Sequence, residues 1–148
     1  MRVLLVEDNE INQQVAQEIL EGVGLIVTIA NNGQEAVDLA ASLEPHVVLM
    51  DINMPELNGI EATRQIRTKF PRVKVLVLTT YDDDEYIIRG LRAGARGYLL
   101  KDTGRQALFE AIRAAARGES LLTAAVVDKV VAHLAEPRKV PAAKLSNR

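Results

Sequence analysis

Three carboxylates, a hydroxyl and an ammonium group each stand at the end of a short apolar run. Glu7 and Asp8 follow 3-VLLV-6, Asp51 follows 47-VVLM-50, Thr79 follows 74-KVLVL-78 and Lys101 follows 97-GYLL-100. If the runs are parallel strands of an open α/β sheet, these residues share the edge at the strands' carboxyl ends, where ligands bind at the reversal of strand order. Two carboxylates about 4 Å apart repel by roughly 4 kcal/mol at an effective dielectric near 20, so the cluster calls for positive charge. Lys101 supplies one such charge. The side chains offered to a second cation are oxygen donors with no Cys or His among them, which points to Mg²⁺ or a similar hard ion rather than zinc. A carboxylate in that company suits chemistry at phosphorus: it attacks as a nucleophile and becomes an acyl phosphate. Positioning and positive charge around the equatorial oxygens then do most of the catalytic work. Asp51 is the expected nucleophile. Lys101 and the metal would neutralise the phosphoryl oxygens, and Thr79 would hydrogen-bond one of them. Any one of these acids alone reads as a helix cap or a turn residue. The conjunction of acids after the first and third runs, Thr after the fourth and Lys after the fifth does not.

The elements that must position them are legible as an alternation. Strand-like runs at Val3–Val6, Leu25–Ala30, His46–Met50, Lys74–Leu78 and Gly97–Leu100 alternate with amphipathic stretches near 10–22, 34–43, 57–69, 83–93 and 104–117. In the first helix Ile11, Val15, Ile19 and Leu20 recur at helical spacing. In the last, Leu108, Ile112 and Ala115 form one stripe, with Arg105, Glu110, Arg113 and Arg117 facing away from it. Asn9, Asp82 and Thr103 are N-cap candidates, and Gly22, Gly24, Gly94 and Gly118 sit where helices should stop. Acids in 82-DDDE-85 suit the first turn of the fourth helix. Five βα units with Val-, Ile- and Leu-rich strands predict a parallel sheet covered on both faces, a doubly wound three-layer α/β sandwich. The organisation reads as a domain over 1–118, a helical extension over 119–135 and a linker or frayed tail over 136–148, the last holding two prolines and four basic residues.

Composition narrows the function classes. The 148 residues carry a net charge of -2, which gives no whole-chain reason to expect nucleic acid or an anionic membrane as partner. Three Tyr, two Phe and no Trp make base-stacking platforms improbable. The absence of cysteine excludes a disulfide framework, a thiolate metal site and a Cys nucleophile. With no secretory signal and no run of the roughly 18 apolar residues that a spanning helix needs, a soluble cytoplasmic protein is expected. His46 and His133 read as surface residues.

The motifs 6-VEDN-9, 48-VLMDINMPELNG-59, 76-LVLTT-80 and 97-GYLLKD-102 resemble the receiver (phosphoacceptor) domain of bacterial two-component response regulators, from Val3 to about Gly118. The resemblance implies a flavodoxin-like fold with strand order 2-1-3-4-5, and a regulatory domain that catalyses only its own phosphotransfer and dephosphorylation. It implies Asp51 as the phosphorylation site. Mg²⁺ would be bound by the carboxylates of Asp8 and Asp51 and the backbone carbonyl of Asn53, with Glu7 acting through water. Lys101 would pair with the phosphoryl group, Thr79 would be the switch hydroxyl, and Tyr98 the aromatic that changes orientation. Without the resemblance, Tyr98 reads equally as an edge-strand aromatic packing its ring. The implied partners are a sensor histidine kinase or phosphotransfer protein, and a second copy of the chain on phosphorylation. The output is a helix 4–strand 5–helix 5 surface with two states.

Asp102 stands where many receivers have Pro, and with 114-AAARGESLLTAAVVDKVVAHLA-135 it resembles receivers attached to LuxR-type helix-turn-helix domains. The first half, 7-EDNEINQQVAQEIL-20 with 51-DINMPELNGIEATRQIR-67, is more similar to receivers of hybrid sensor kinases. The chain therefore reads as a natural mixture or a deliberate composite, joined between Thr68 and Lys74. Only residues 142–148 follow Pro141, too few for a DNA-binding module, so no specific DNA binding is expected of this chain. Two other functions stay open. One is a pseudo-receiver that serves as an interaction module without phosphorylation, against which stands the complete acid and lysine set. The other is a flavin-binding carrier, against which stand the acidic EDNE loop and the lack of Trp.

Overall fold

The computed structural model describes residues 1–51, 59–79, 84–100 and 104–119, and for 84–87 the backbone alone. Five strands, β1 (Arg2–Val6), β2 (Ile26–Ala30), β3 (Val47–Asp51), β4 (Lys74–Thr79) and β5 (Gly97–Leu100), alternate with α1 (Glu10–Glu21), α2 (Gly33–Leu43), α3 (Gly59–Lys69), α4 (Asp84–Arg92) and α5 (Arg105–Ala116). The sheet is parallel throughout, in the order β2-β1-β3-β4-β5. This is the doubly wound order expected from the motifs, with its reversal between β1 and β3.

The apolar runs of β1 and β3 have no polar face because both of their faces are covered. Leu4, Val6, Val48, Met50, Val75 and Val77 share a core with Ala36, Val37 and Ala40 of α2 and with Ile60, Ala62 and Ile66 of α3. Val3, Leu5, Val47, Leu49 and Leu76 pack on the other side with Leu20 of α1 and with Phe109, Ile112 and Ala115 of α5. The expected stripe of α5 is thus the buried one, widened by Phe109 and Ala111. The stripe of α1 is not. Leu20 is fully buried and Ile19 packs at the core's margin, but Ile11 is 73% and Val15 54% exposed. Periodicity identified the helix correctly and left open what covers its apolar line.

Strand and helix ends fall within a residue or two of their expected positions wherever both ends are described. Asn9 caps α1, its side chain accepting from the Asn12 amide at 3.0 Å. A second cap went unpredicted: Asn32 accepts from the Glu35 amide at 2.9 Å at the start of α2. The N-cap of α5 is Gly104, which makes no side-chain cap bond, so Thr103 does not hold the position expected of it. Thr103 and Asp82 both lie outside the described residues, as does the segment 120–148. The end of α2 has no glycine signal because Glu44 itself takes the left-handed conformation (φ 46°) while its amide bonds to Ala40. Gly94 and Gly118 terminate α4 and α5 at φ 114° and 83°.

Two close approaches set the α3–α4 layer. A Cβ at Gly94 would fall 2.4 Å from Cγ of Arg67, and one at the buried Gly90 of α4 would fall 3.1 Å from Cγ2 of Val77. The edge of the sheet where β4 begins is basic. The Lys74 ammonium is pushed down from its usual range by burial and by repulsion from Arg96 and Arg67.

Gly94→Ala should lose about 1–3 kcal/mol through its positive φ and the encounter with Arg67. Ile112→Ala, at a fully buried position of the α5 stripe, should lose about 2–5 kcal/mol. Urea unfolding followed by circular dichroism checks both, and a loss within error of zero in either would contradict the packing described.

Candidate functional site

The strand registers determine which side chains meet. Val6 lies beside Met50, Met50 beside Val77, and Asp51 beside Leu78, so the first residue beyond β1 comes level with the last of β3. One oxygen from each of Glu7, Asp8 and Asp51 lies within 4.8 Å of the others. Glu7 and Asp51 are 3% and 2% exposed, whereas Asp8 faces solvent. Two of the acids are nearly buried and the third is open to solvent.

Local structure supports it. The Glu7 amide donates to the Ala30 carbonyl at 3.0 Å, which ties the end of β1 to β2. The Asn9 amide donates to the Glu7 carboxylate at 3.2 Å. Directly beyond comes the first turn of α1, and the positive end of a helix dipole favours carboxylates placed there. Gln13, one turn into α1, was missed in the sequence. Its side-chain amide donates to the Glu7 carbonyl and to Asn31 Oδ1. Asn31 in turn donates from its backbone and its side chain to Glu35 Oε1, at 3.0 and 3.1 Å. A Gln on a helix carries no signal of its own, because it reads as a solvent-facing filler until the fold folds it back over a strand end.

Of the other expected residues, Thr79 closes β4, is fully buried and pairs with Leu100. Tyr98 pairs with Val77 and rests, half-buried, against the core shared with α2 and α3. By strand alternation Thr79 and Tyr98 lie on the same face of the sheet, diagonally related across β4 and β5. Tyr98 does not join the acid cluster. Lys101, next in sequence after β5, and Asn53 lie outside the described residues. Of the two histidines, His46 is exposed and its Nδ1 accepts from the Arg2 amide at 3.1 Å; His133 is outside the described residues.

An all-oxygen donor set of this kind fits a small hard cation. The chain also matches the response regulator receiver domain over residues 3–113. It belongs to that family. Receiver domains are the signal-accepting units of two-component systems, in general not enzymes acting on other molecules. The transcriptional regulatory protein LiaR of Bacillus subtilis is 40% identical over 136 residues, covering 90% of this chain and 64% of LiaR. DegU of Brevibacillus brevis is 37% identical over 133 residues, 88% of this chain and 56% of DegU. The first-half and second-half motifs thus fall within single matches to such regulators. This chain spans only about half to two-thirds of their length. Among solved structures, a LuxR-family two-component response regulator from Aurantimonas sp. SI85-9A1 superposes with a TM-score of 0.80 at 28% identity, covering 91% of this chain and 98% of that one. The response regulator domain of Thermotoga maritima CheB gives 0.72 at 33% identity, covering 79% and 96%. Among the described residues no helix is long and apolar enough to cross a membrane.

Because the three carboxylates repel one another, Asp8→Asn should raise the melting temperature in metal-free buffer. Mg²⁺ should stabilise the parent, by about 2.7 kcal/mol at a hundredfold excess over its dissociation constant, and should stabilise Asp8→Asn far less. Differential scanning calorimetry with and without Mg²⁺ checks this. Equal Mg²⁺ responses in the two proteins would remove Asp8 from the site.

Proposed function

We propose that this chain is a phosphorylation-dependent signalling switch that accepts a phosphoryl group on Asp51 from the phosphohistidine of a sensor kinase or phosphotransfer protein. The observation that carries the reading is the convergence of the Glu7, Asp8 and Asp51 oxygens at the carboxyl edge of the sheet. A carboxylate oxygen of Asp51 attacks phosphorus, the P–N bond to the imidazole breaks, and the leaving imidazole keeps the electron pair. Mg²⁺ would neutralise phosphoryl charge there, held by Asp8, Asp51 and the Asn53 carbonyl, with Glu7 acting through water.

The protein's own contribution is aim and charge. β3 holds Asp51 with buried neighbours throughout its length, so the carboxylate meets phosphorus in one orientation. The ammonium of Lys101 would pair with the phosphoryl oxygens. The Thr79 hydroxyl would donate to one of them, and Tyr98 would follow on the same face of the sheet, altering the α4–β5–α5 surface. The receiver unit would be 1–118, with 119–135 a helical extension and 136–148 a linker. A second copy of the chain is the expected partner once Asp51 is modified, and no specific DNA binding is ascribed to these residues.

Incubation with acetyl phosphate and Mg²⁺, followed by intact-mass measurement, should show one added phosphoryl group in the parent. None should appear in Asp51→Asn, and chelation should suppress the gain. A parent that gains nothing would leave the pseudo-receiver reading in its place, and a mutant that gains as much as the parent would move the acceptor elsewhere.

A further inference from the structure

Asp8 is exposed, and among the described residues its carboxylate makes no hydrogen bond or ion pair. The direction in which it leaves the chain is therefore set by its backbone. Its neighbour Glu7 is held at the amide, which donates to the Ala30 carbonyl at 3.0 Å, and at the carboxylate, which accepts from the Asn9 amide at 3.2 Å. The Glu7 carbonyl accepts from the side chain of Gln13. That oxygen belongs to the peptide unit joining Glu7 to Asp8, and a peptide unit is planar. Fixing the oxygen fixes the plane from which the Asp8 Cα starts.

Gln13 is placed and oriented for this. Its own amide donates to the Asn9 carbonyl at 2.9 Å, so its backbone is locked into the start of α1 while its side chain reaches back to the strand end. A carboxamide nitrogen has two hydrogens to give. One goes to the Glu7 carbonyl and the other, at 2.8 Å, to Asn31 Oδ1. Asn31 is oriented in its turn, because its backbone and side-chain nitrogens both donate to Glu35 Oε1, at 3.0 and 3.1 Å. Its Oδ1 is then the atom that faces Gln13. Turning the Gln13 amide over would set its oxygen against two others, and turning Asn31 over would set its oxygen against the Glu35 carboxylate. Glu35 is anchored as well, its amide donating to Asn32 Oδ1 at 2.9 Å. The chain of bonds from Glu35 through Asn31 and Gln13 to Glu7 thus has one polarity, and it ties the start of α2 to the end of β1.

We propose that Gln13 is a positioning residue for the divalent cation at the acid edge: acting through the Glu7 carbonyl and braced by Asn31, it aims the Asp8 and Glu7 carboxylates at the ion. The inference rests on the reading of Glu7, Asp8 and Asp51 as a Mg²⁺ site and adds to it a residue outside the donor set. Side chains that orient metal ligands at one remove are commonly worth ten- to a hundredfold in metal affinity.

Calorimetric titration of the full chain with Mg²⁺ reads the effect. Gln13→Met keeps the length of the side chain and lacks the donors, and it should raise the Mg²⁺ dissociation constant about 10- to 100-fold. Asn31→Ala removes the brace alone and should raise it less. Combining the two should add nothing to the loss in Gln13→Met, and an additive loss would overturn the brace. Circular dichroism in metal-free buffer confirms that each variant is folded. A residue that merely fastens α1 to the sheet would change metal-free stability and leave the Mg²⁺ constant alone, so a folded Gln13→Met with parental affinity overturns the proposal. Should Gln13→Met not fold, a folded Asn31→Ala with parental affinity overturns it equally. Asp8→Asn checks the premise: binding there equal to the parent's, or none in the parent, would overturn the reading of the acids as the ion's site and this inference with it.

Discussion

Mutual repulsion among carboxylates is the constraint around which the molecule is arranged. Glu7, Asp8 and Asp51 sit closer together than free acids would choose, and two of them are almost out of water. Only a stiff support can hold them so. β1 and β3 supply it: both lie inside the sheet, both are apolar on both faces, and their register brings the two strand ends level. Part of the electrostatic cost is offset locally, by the Asn9 amide on Glu7 and by the start of α1 beside it. The opposite edge, where Lys74 sits among Arg67 and Arg96, carries the reverse charge, so the molecule is polarised along its strands.

The two faces of the sheet have different duties. The face under α1 and α5 carries Leu5 and Leu49, which lead up to the acids, and it keeps an open groove. The face under α2, α3 and α4 carries Thr79 and Tyr98.

Much of this was readable from the chain alone, for reasons that can be named. Strands buried on both faces have unbroken Val, Ile and Leu runs, and an Asp at the end of such a run stands out. Asn9 stood out as well, since a cap precedes an apolar period. What could not be read depends on long-range placement. Gln13 acquires its role only when α1 folds back across the end of β1. Glu44 enters the left-handed region because its surroundings hold it there, against its own preference. The stripe of α1 has the period of a core face, yet two of its members meet no core, because period reports which residues share a side and not what lies opposite.

The bare backbone at Gly90 has a mechanical meaning. A methyl group there would press on Val77, two residues before Thr79, so α4 rides on β4 with no cushion between them. The smallest residue in the helix thereby determines how closely its backbone approaches the strand beneath it.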